Sequence, residues 1–425
     1  MDKKPVKPQI AIKTTAQPFA YPLKQLMMEL EAREADGKRE LLGYGFSDFK
    51  EMNSLISGFR KGNISLILGS KNRLKSSLLL SIACSIIKDK KVPVLYYNFN
   101  TPIMDLLYNA SSWSSNLPLD TLKKAKIMGN STRKNAFQKS LDEFSKFQNY
   151  LHLVAGSQIS TPLLIENEIK ILKQKYKSKN FVLIIDGLQS MPSNEAISSK
   201  ILKIESVVNS LKSIALSQNI PVIVGAAITK DAIEIDEKED NERIKLSDCR
   251  NCPDIEDLID FGFVMSKNWT NSNELNNQLS QKAENIQKDK DYIPDMEVID
   301  LHLDTCPVDI EEEQSVQFMV HRLNGRFYEL GMAFEQELQN FNRIDKLVTE
   351  IIVREEIEFL DIDPNRKPKK KKLESNKQNT QNNQMSGMGD MGMMAGMMPG
   401  MAPKQSQQVS QPKKEKVKVS LKLGS

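Results

Sequence analysis

Gly69, Lys75 and Ser76, in "LGSKNRLKSS", are the first residues whose types and spacing could do chemistry. A loop of the form G-x-x-x-x-G-K-[ST] turns backbone N–H groups toward phosphate, adds a lysine to neutralise it and gives a hydroxyl to Mg²⁺. The loop follows the apolar run "ISLIL" and precedes the helical run "SSLLLSIACSII", the order that strand, loop and helix require. Leu74 stands where the form wants its second glycine, and a branched side chain there should narrow the cradle or change the local φ and ψ. Far downstream, "FVLIIDGLQSM" is an apolar strand ending on Asp186, the form of a carboxylate that coordinates Mg²⁺ beside a nucleotide. An ordinary turn residue would look the same. The combined expectation is nucleotide phosphate on Gly69, Lys75 and Ser76, with Mg²⁺ on Asp186 and Ser76.

Two further pairs have ligand-like spacing, Cys249-x-x-Cys252 and His302-x-x-x-Cys306. About 50 residues separate them, so buried or free thiols are favoured over zinc. His152 in "YLHLVA" and His321 read as packed strand residues.

These side chains need elements to position them. Short apolar runs ("ISLILG", "VPVLYYNF", "YLHLVA", "FVLIID", "PVIVGAA", "FGFVMS", "MEVIDLHL") alternate with longer helix-period segments. Strand runs unbroken by polar residues imply that both faces are covered, hence an α/β fold with a mostly parallel sheet flanked by helices. "QFMVHRLNGRFYEL" then reads as a C-terminal β-hairpin on an Asn-Gly turn, closing a core over 43–332. Before the core, 1–20 read as disordered and 21–42 as an amphipathic linker helix whose Leu23, Leu26, Met27 and Leu30 form one apolar stripe. After it come a helical stretch, 333–363, and a Met/Gln/Lys-rich tail, 364–425, too poor in apolar residues to fold alone. The tail reads first as a solvated linker. A sharper reading makes its Met-rich segment an adaptable apolar patch and lets "VKVSLKL", within 404–425, add as an edge strand to a protein partner.

The net charge of +4 hides an asymmetry. Residues 366–425 hold 13 Lys or Arg against 3 acidic residues, which leaves 46 against 52 in 1–365. A mildly acidic body gains little from counterion release, so composition does not argue for DNA binding by the core. No apolar run approaches the roughly 18 residues of a membrane span. The basic N-terminus lacks a signal peptide's apolar segment, and four cysteines suit a reducing compartment, so the expected location is the cytoplasm.

Over 46–330 the chain resembles the C-terminal motor domain of DnaB-type replicative helicases, a RecA-like P-loop NTPase fold. The lead "GYGFSDFKEMNSLISGFRKGNISLILGS" is similar to that family's entry into its phosphate loop, with Gly45, Phe46, Gly58 and Gly62 as matching markers. "VLYYNFNTP" resembles its Glu-Met-Pro strand, "ISTPLLIENEIKILKQKY" the helix before its acidic strand, and "IIDGLQSM" its Asp-Tyr-Leu-Gln form. "SLKSIALSQNIPVIV", "LSDCRNCPDIEDLIDFGFVM" and the Asn-Gly hairpin follow in the family's order. The resemblance implies ATP as the nucleotide and a role in DNA replication. It also implies a ring or filament of like subunits, gripped through the helix bearing Leu23 and Leu30. No counterpart of the family's amino-terminal domain is expected before that helix.

Departures from the family pattern bear on mechanism. Asn100 takes the place of the glutamate that activates water, and an amide cannot accept that proton. Ala227 aligns with the γ-phosphate-sensing glutamine, and His302 and Asp304 with the Lys-x-Arg pair that reaches into the neighbouring site. Arg250 matches a family arginine near the active-site loop. The family's basic channel loop corresponds to "KDAIEIDEKEDNERIK", where 231–245 carry seven acidic against three basic residues. With Leu74, these losses describe a degenerate ATPase that binds ATP without efficient hydrolysis and serves as an assembly or docking subunit. Two alternatives are an active helicase with Glu166 or Glu168 as substitute base, and a scaffold acting through its tail.

Overall fold

The computed structural model describes residues 20–35 and 43–333, less 126, 128, 239–242, 287–294 and 311–313, together with 344, 346 and 349. The chain runs through α1 (Ala20–Ala35), α2 (Lys50–Ile56), β1 (Ile64–Gly69), α3 (Lys75–Lys90), β2 (Val94–Asn98), α4 (Ile103–Ser115), α5 (Leu119–Lys123) and α6 (Ser131–Ser145). It continues through β3 (Leu151–Ala155), α7 (Pro162–Tyr176), β4 (Val182–Asp186), α8 (Lys200–Gln218), β5 (Val222–Ala227) and α9 (Lys230–Glu237). The last described elements are β6 (Phe261–Lys267), α10 (Trp269–Ile286), β7 (Met296–Thr305), β8 (Ser315–His321) and β9 (Arg326–Met332).

Among the described residues nine strands form one sheet in the order β3-β2-β4-β5-β1-β6-β7-β8-β9. Pairing is parallel from β3 to β6 and antiparallel from β6 to β9, so the expected mostly parallel sheet carries an antiparallel extension. Every residue of β1, β2 and β4 is buried, because helices cover both faces. Alternation along each strand divides the core. Ile67, Tyr96 and Ile184 pack with α2, α3 and α4, whereas Leu66, Tyr97 and Ile185 pack with α7 and α8.

The register sets the carboxyl ends of the central strands side by side. Asn98 lies opposite Asp186, Asp186 opposite Gly225, and Gly69 between Ala227 and Met265. This row is where an open α/β sheet presents a ligand site. The Asn-Gly turn forms as expected, with Gly325 at φ 71°, and a Cβ there would come within 3.0 Å of Ser77 Oγ at the start of α3.

Within the stretch read as a linker helix, 21–42, a helix spans Ala20–Ala35 with Leu23, Leu26, Met27 and Leu30 exposed on it, and 36–42 lie outside the described residues. The segment read as an acidic loop begins instead as α9, and its Asp236 is buried. The expected disordered ends, apart from Ala20, which begins α1, and the helix over 333–363, apart from 333, 344, 346 and 349, lie outside the described residues.

Candidate functional site

β1 delivers Gly69 to a short turn, Lys71–Arg73, and α3 begins at Lys75. A Cβ at Gly69 would meet Met265 Cβ at 3.0 Å and Met265 O at 3.2 Å, a close approach that favours glycine. Leu74 has φ 55° and ψ 33°, the left-handed conformation that glycine adopts without steric cost. The expected change of backbone does not occur. Leucine keeps the glycine-like shape at a cost of about 1–2 kcal/mol, and packs against the core face that contains α3.

Lys75 is buried, and its Nζ donates to Gly69 O at 2.5 Å and Ser70 O at 2.7 Å. Burial pushes its ammonium down to about 8, against the pull of Asp186 and Asp236 and with a push from Arg250. Ser76 is half-buried at the first turn of α3.

Asp186 is 1% exposed, and both its oxygens accept from neutral donors. Tyr96 Oη donates to Oδ2 at 3.0 Å and Asn100 Nδ2 to Oδ1 at 3.1 Å. Burial, then the Asp186 charge, pushes the Tyr96 phenol well above its ordinary range. Asn100 is held by its neighbour: Asn98 Oδ1 accepts from the backbone N–H of Asn100 and Thr101, at 3.0 and 3.2 Å. Where the resemblance wants a carboxylate that accepts a proton, an amide donates to one.

Ala227 pairs beside Gly69, so the position aligned with the sensor glutamine does adjoin the loop, carrying only a methyl group. A different glutamine reaches this place from β4's end. Gln189 accepts from Ala227 N at 2.9 Å and donates to Ala227 O and Arg250 O at 3.3 Å. Arg250 donates from Nε to Ile228 O at 3.0 Å.

His302 lies between Ser266 Oγ at 3.1 Å and Ser315 Oγ at 2.5 Å, and burial pushes it down to about 4, so it carries no charge at neutral pH. Asp304 pairs with Arg243, and burial raises its carboxyl against that guanidinium. Neither offers a cationic finger. Glu168 accepts from Tyr97 on the sheet face opposite Tyr96, and Glu166 pairs with Lys170 at 2.9 Å, so neither substitute base is beside Asp186. Cys249 and Cys252 pack on the α7–α8 face and Cys306 against the other, so the two metal-like pairs do not converge.

One residue that the motif reading missed is Arg73, in the loop itself and 3% exposed. Its Nε donates to Asp236 Oδ2 at 2.8 Å, Nη2 to Asp236 O at 3.0 Å and Nη1 to Glu297 Oε2 at 3.3 Å. Tyr96 and Gln189 escape that reading too. Both lie inside quoted motifs, and a polar group on or just after an otherwise apolar strand is their signal.

The sequence profile of the DnaB-like helicase C-terminal domain matches residues 46–343. The chain belongs to that family. A probable replicative DNA helicase of Trieres chinensis is 26% identical over 266 residues, 60% of this chain and 53% of that protein. The replicative DNA helicase DnaB of Helicobacter pylori is 23% identical over 222 residues, 52% of this chain and 43% of that protein. The chain thus spans about half the length of the curated relatives it matches. Among solved structures, an ATPase domain superposes with a TM-score of 0.58 at 16% identity, covering 74% of this chain and 99% of that one. A DnaB-like replicative helicase studied for its interactions with primase gives 0.55 at 17% identity, covering 73% and 67%. At such identity these two likenesses show the fold.

Lys75 and Ser76 stand at a helix start that suits phosphate, and Asp186 stands at a strand end that suits Mg²⁺. A cavity of about 440 Å³, lined by Trp113, Phe144, Phe147 and Tyr328 among others, includes none of these residues.

Proposed function

We propose that this DnaB-like core holds the phosphates of ATP without efficient hydrolysis and works as an assembly or docking subunit. The observation that carries the reading is the Asn100 amide donating to Asp186 where a proton-accepting carboxylate is needed. Loss of a general base costs about 10²–10⁴ in rate and loss of an arginine finger about 10³–10⁵. Ala227, neutral His302 and Asp304, which is itself an anion paired with Arg243, add to the first loss. In the bound state Lys75 would neutralise phosphate, and Ser76 and Asp186 would hold Mg²⁺. Mg²⁺ would then supply neutralisation of phosphate charge.

The relatives are named as replicative DNA helicases, so DNA replication is the proposed setting and the cytoplasm the proposed location. The exposed Leu23, Leu26, Met27 and Leu30 on α1 support assembly with like subunits into a ring or filament. Residues 404–425 are the proposed contact for a protein partner. DNA binding by the core gains no support from α9, with Asp231, Glu234 and Glu237 on it. The positions of Glu166 and Glu168 weigh against the active-helicase alternative.

Titration of the full chain with fluorescent ATP and Mg²⁺ tests the grip. Saturable binding that Lys75→Ala abolishes is expected. No binding to the unaltered chain would contradict the nucleotide part of the proposal.

A further inference from the structure

A phosphate loop gathers inward N–H dipoles and a lysine, and these repel one another until an anion arrives. This chain places two carboxylates against the same loop from within. Arg73 reaches Asp236 at the end of α9 and Glu297 on β7, and Glu297 Oε2 also accepts from Arg322 Nη1 at 3.1 Å. Asp236 spends its other oxygen on Lys267 N at 3.1 Å, and its carbonyl accepts from Trp269 Nε1 at 3.2 Å as well as from Arg73. Arg73, Asp236 and Glu297 are each at most 4% exposed, and with half-exposed Arg322 the four charges balance. One guanidinium therefore joins the loop to α9 and β7 and, through Asp236, to the β6–α10 junction. Its planar fork can serve several acceptors at once in a fixed geometry, which a lysine cannot do.

We propose that Arg73 is a positioning residue that uses Asp236 and Glu297 in place of nucleotide phosphate to hold the 69–76 loop in its folded shape. This rests on the reading of 69–76 as a phosphate loop, and it adds that the loop is ordered before nucleotide arrives. The left-handed backbone at Leu74, unfavourable for a leucine, is then maintained by the anchor one residue earlier. α9 is tied to the loop at its far end and moves with it.

Hydrogen exchange followed by mass spectrometry on the full chain tests this. Without nucleotide, amides of 70–77 exchange slowly, and ATP with Mg²⁺ changes their rate by less than about threefold. Arg73→Met raises loop exchange about tenfold or more, with β4 and β5 unchanged, and Arg73→Lys falls between. Arg73→Met leaves buried Asp236 without its ion-pair partner and Glu297 with Arg322 alone, so the triple variant Arg73→Met, Asp236→Asn, Glu297→Gln is measured beside it. A folded triple variant with loop exchange like the unaltered chain overturns the proposal, as does a rise spread evenly over the whole core. ATP turnover by the unaltered chain would sink the pseudo-ATPase reading and leave this proposal standing. Loop exchange in Arg73→Met no faster than in the unaltered chain would do the reverse.

Discussion

Lys75 has its ammonium depressed by burial to about 8 from 10.5, and two measurable slopes of opposite sign follow. Between pH 8 and 10.5 the unfolded chain keeps a proton that the folded chain has lost, so stability to urea rises with pH over that window. Phosphate binds only the charged lysine, so affinity for ATP falls about tenfold per unit above pH 8. Calorimetry in buffers of different ionisation heat should record proton uptake on binding at pH 9. Leu74 makes a second prediction. Leu74→Gly relieves about 1–2 kcal/mol of left-handed strain but loses packing and gains unfolded-state freedom, leaving stability within about 1 kcal/mol. Leu74→Val puts a β-branched residue in that conformation and costs about 2 kcal/mol in urea unfolding. The places of Gly69 and Asp186 at strand ends and of Lys75 and Ser76 at a helix start were legible from type, spacing and the neighbouring apolar runs. Arg73 was not, because its partners lie 163 and 224 residues away and only the sheet order brings them to it.

Among the elements, the buried strands announced themselves because a strand covered on both faces has no polar alternation to obscure it. α9 did not, since its acidic residues read as loop while Ala232 and Asp236, four residues apart, turn one face inward. α2 was missed too, and only tertiary structure explains its start. Its N-cap side chain is Phe49, which caps nothing, and Glu329 on β9 accepts instead from Glu51 N at 3.0 Å and Met52 N at 2.9 Å. Thermal melts of Glu329→Ala should therefore show a loss of about 1–2 kcal/mol. A change within about 0.3 kcal/mol would mean that α2 is held by packing of Met52 and Ile56 alone.

At the scale of the molecule, α1 leaves Leu23, Leu26, Met27, Met28 and Leu30 exposed. Leu26→Glu with Leu30→Glu should lower the sedimenting mass of the full chain while leaving the core's melting unchanged, since both side chains are exposed in the single subunit. An unaltered mass would remove α1 from the assembly. Weak or absent hydrolysis is the property proposed for the site as a whole, with the loop lysine on its own carbonyls, the strand-end aspartate on Tyr96 and Asn100, and only a methyl group at Ala227 beside Gly69. Steady-state ATP turnover in saturating Mg²⁺, with Lys75→Ala as background, tests it most directly. No turnover above that background is expected from a chain that binds ATP, and a rate that falls when Lys75 is replaced would contradict the pseudo-ATPase reading.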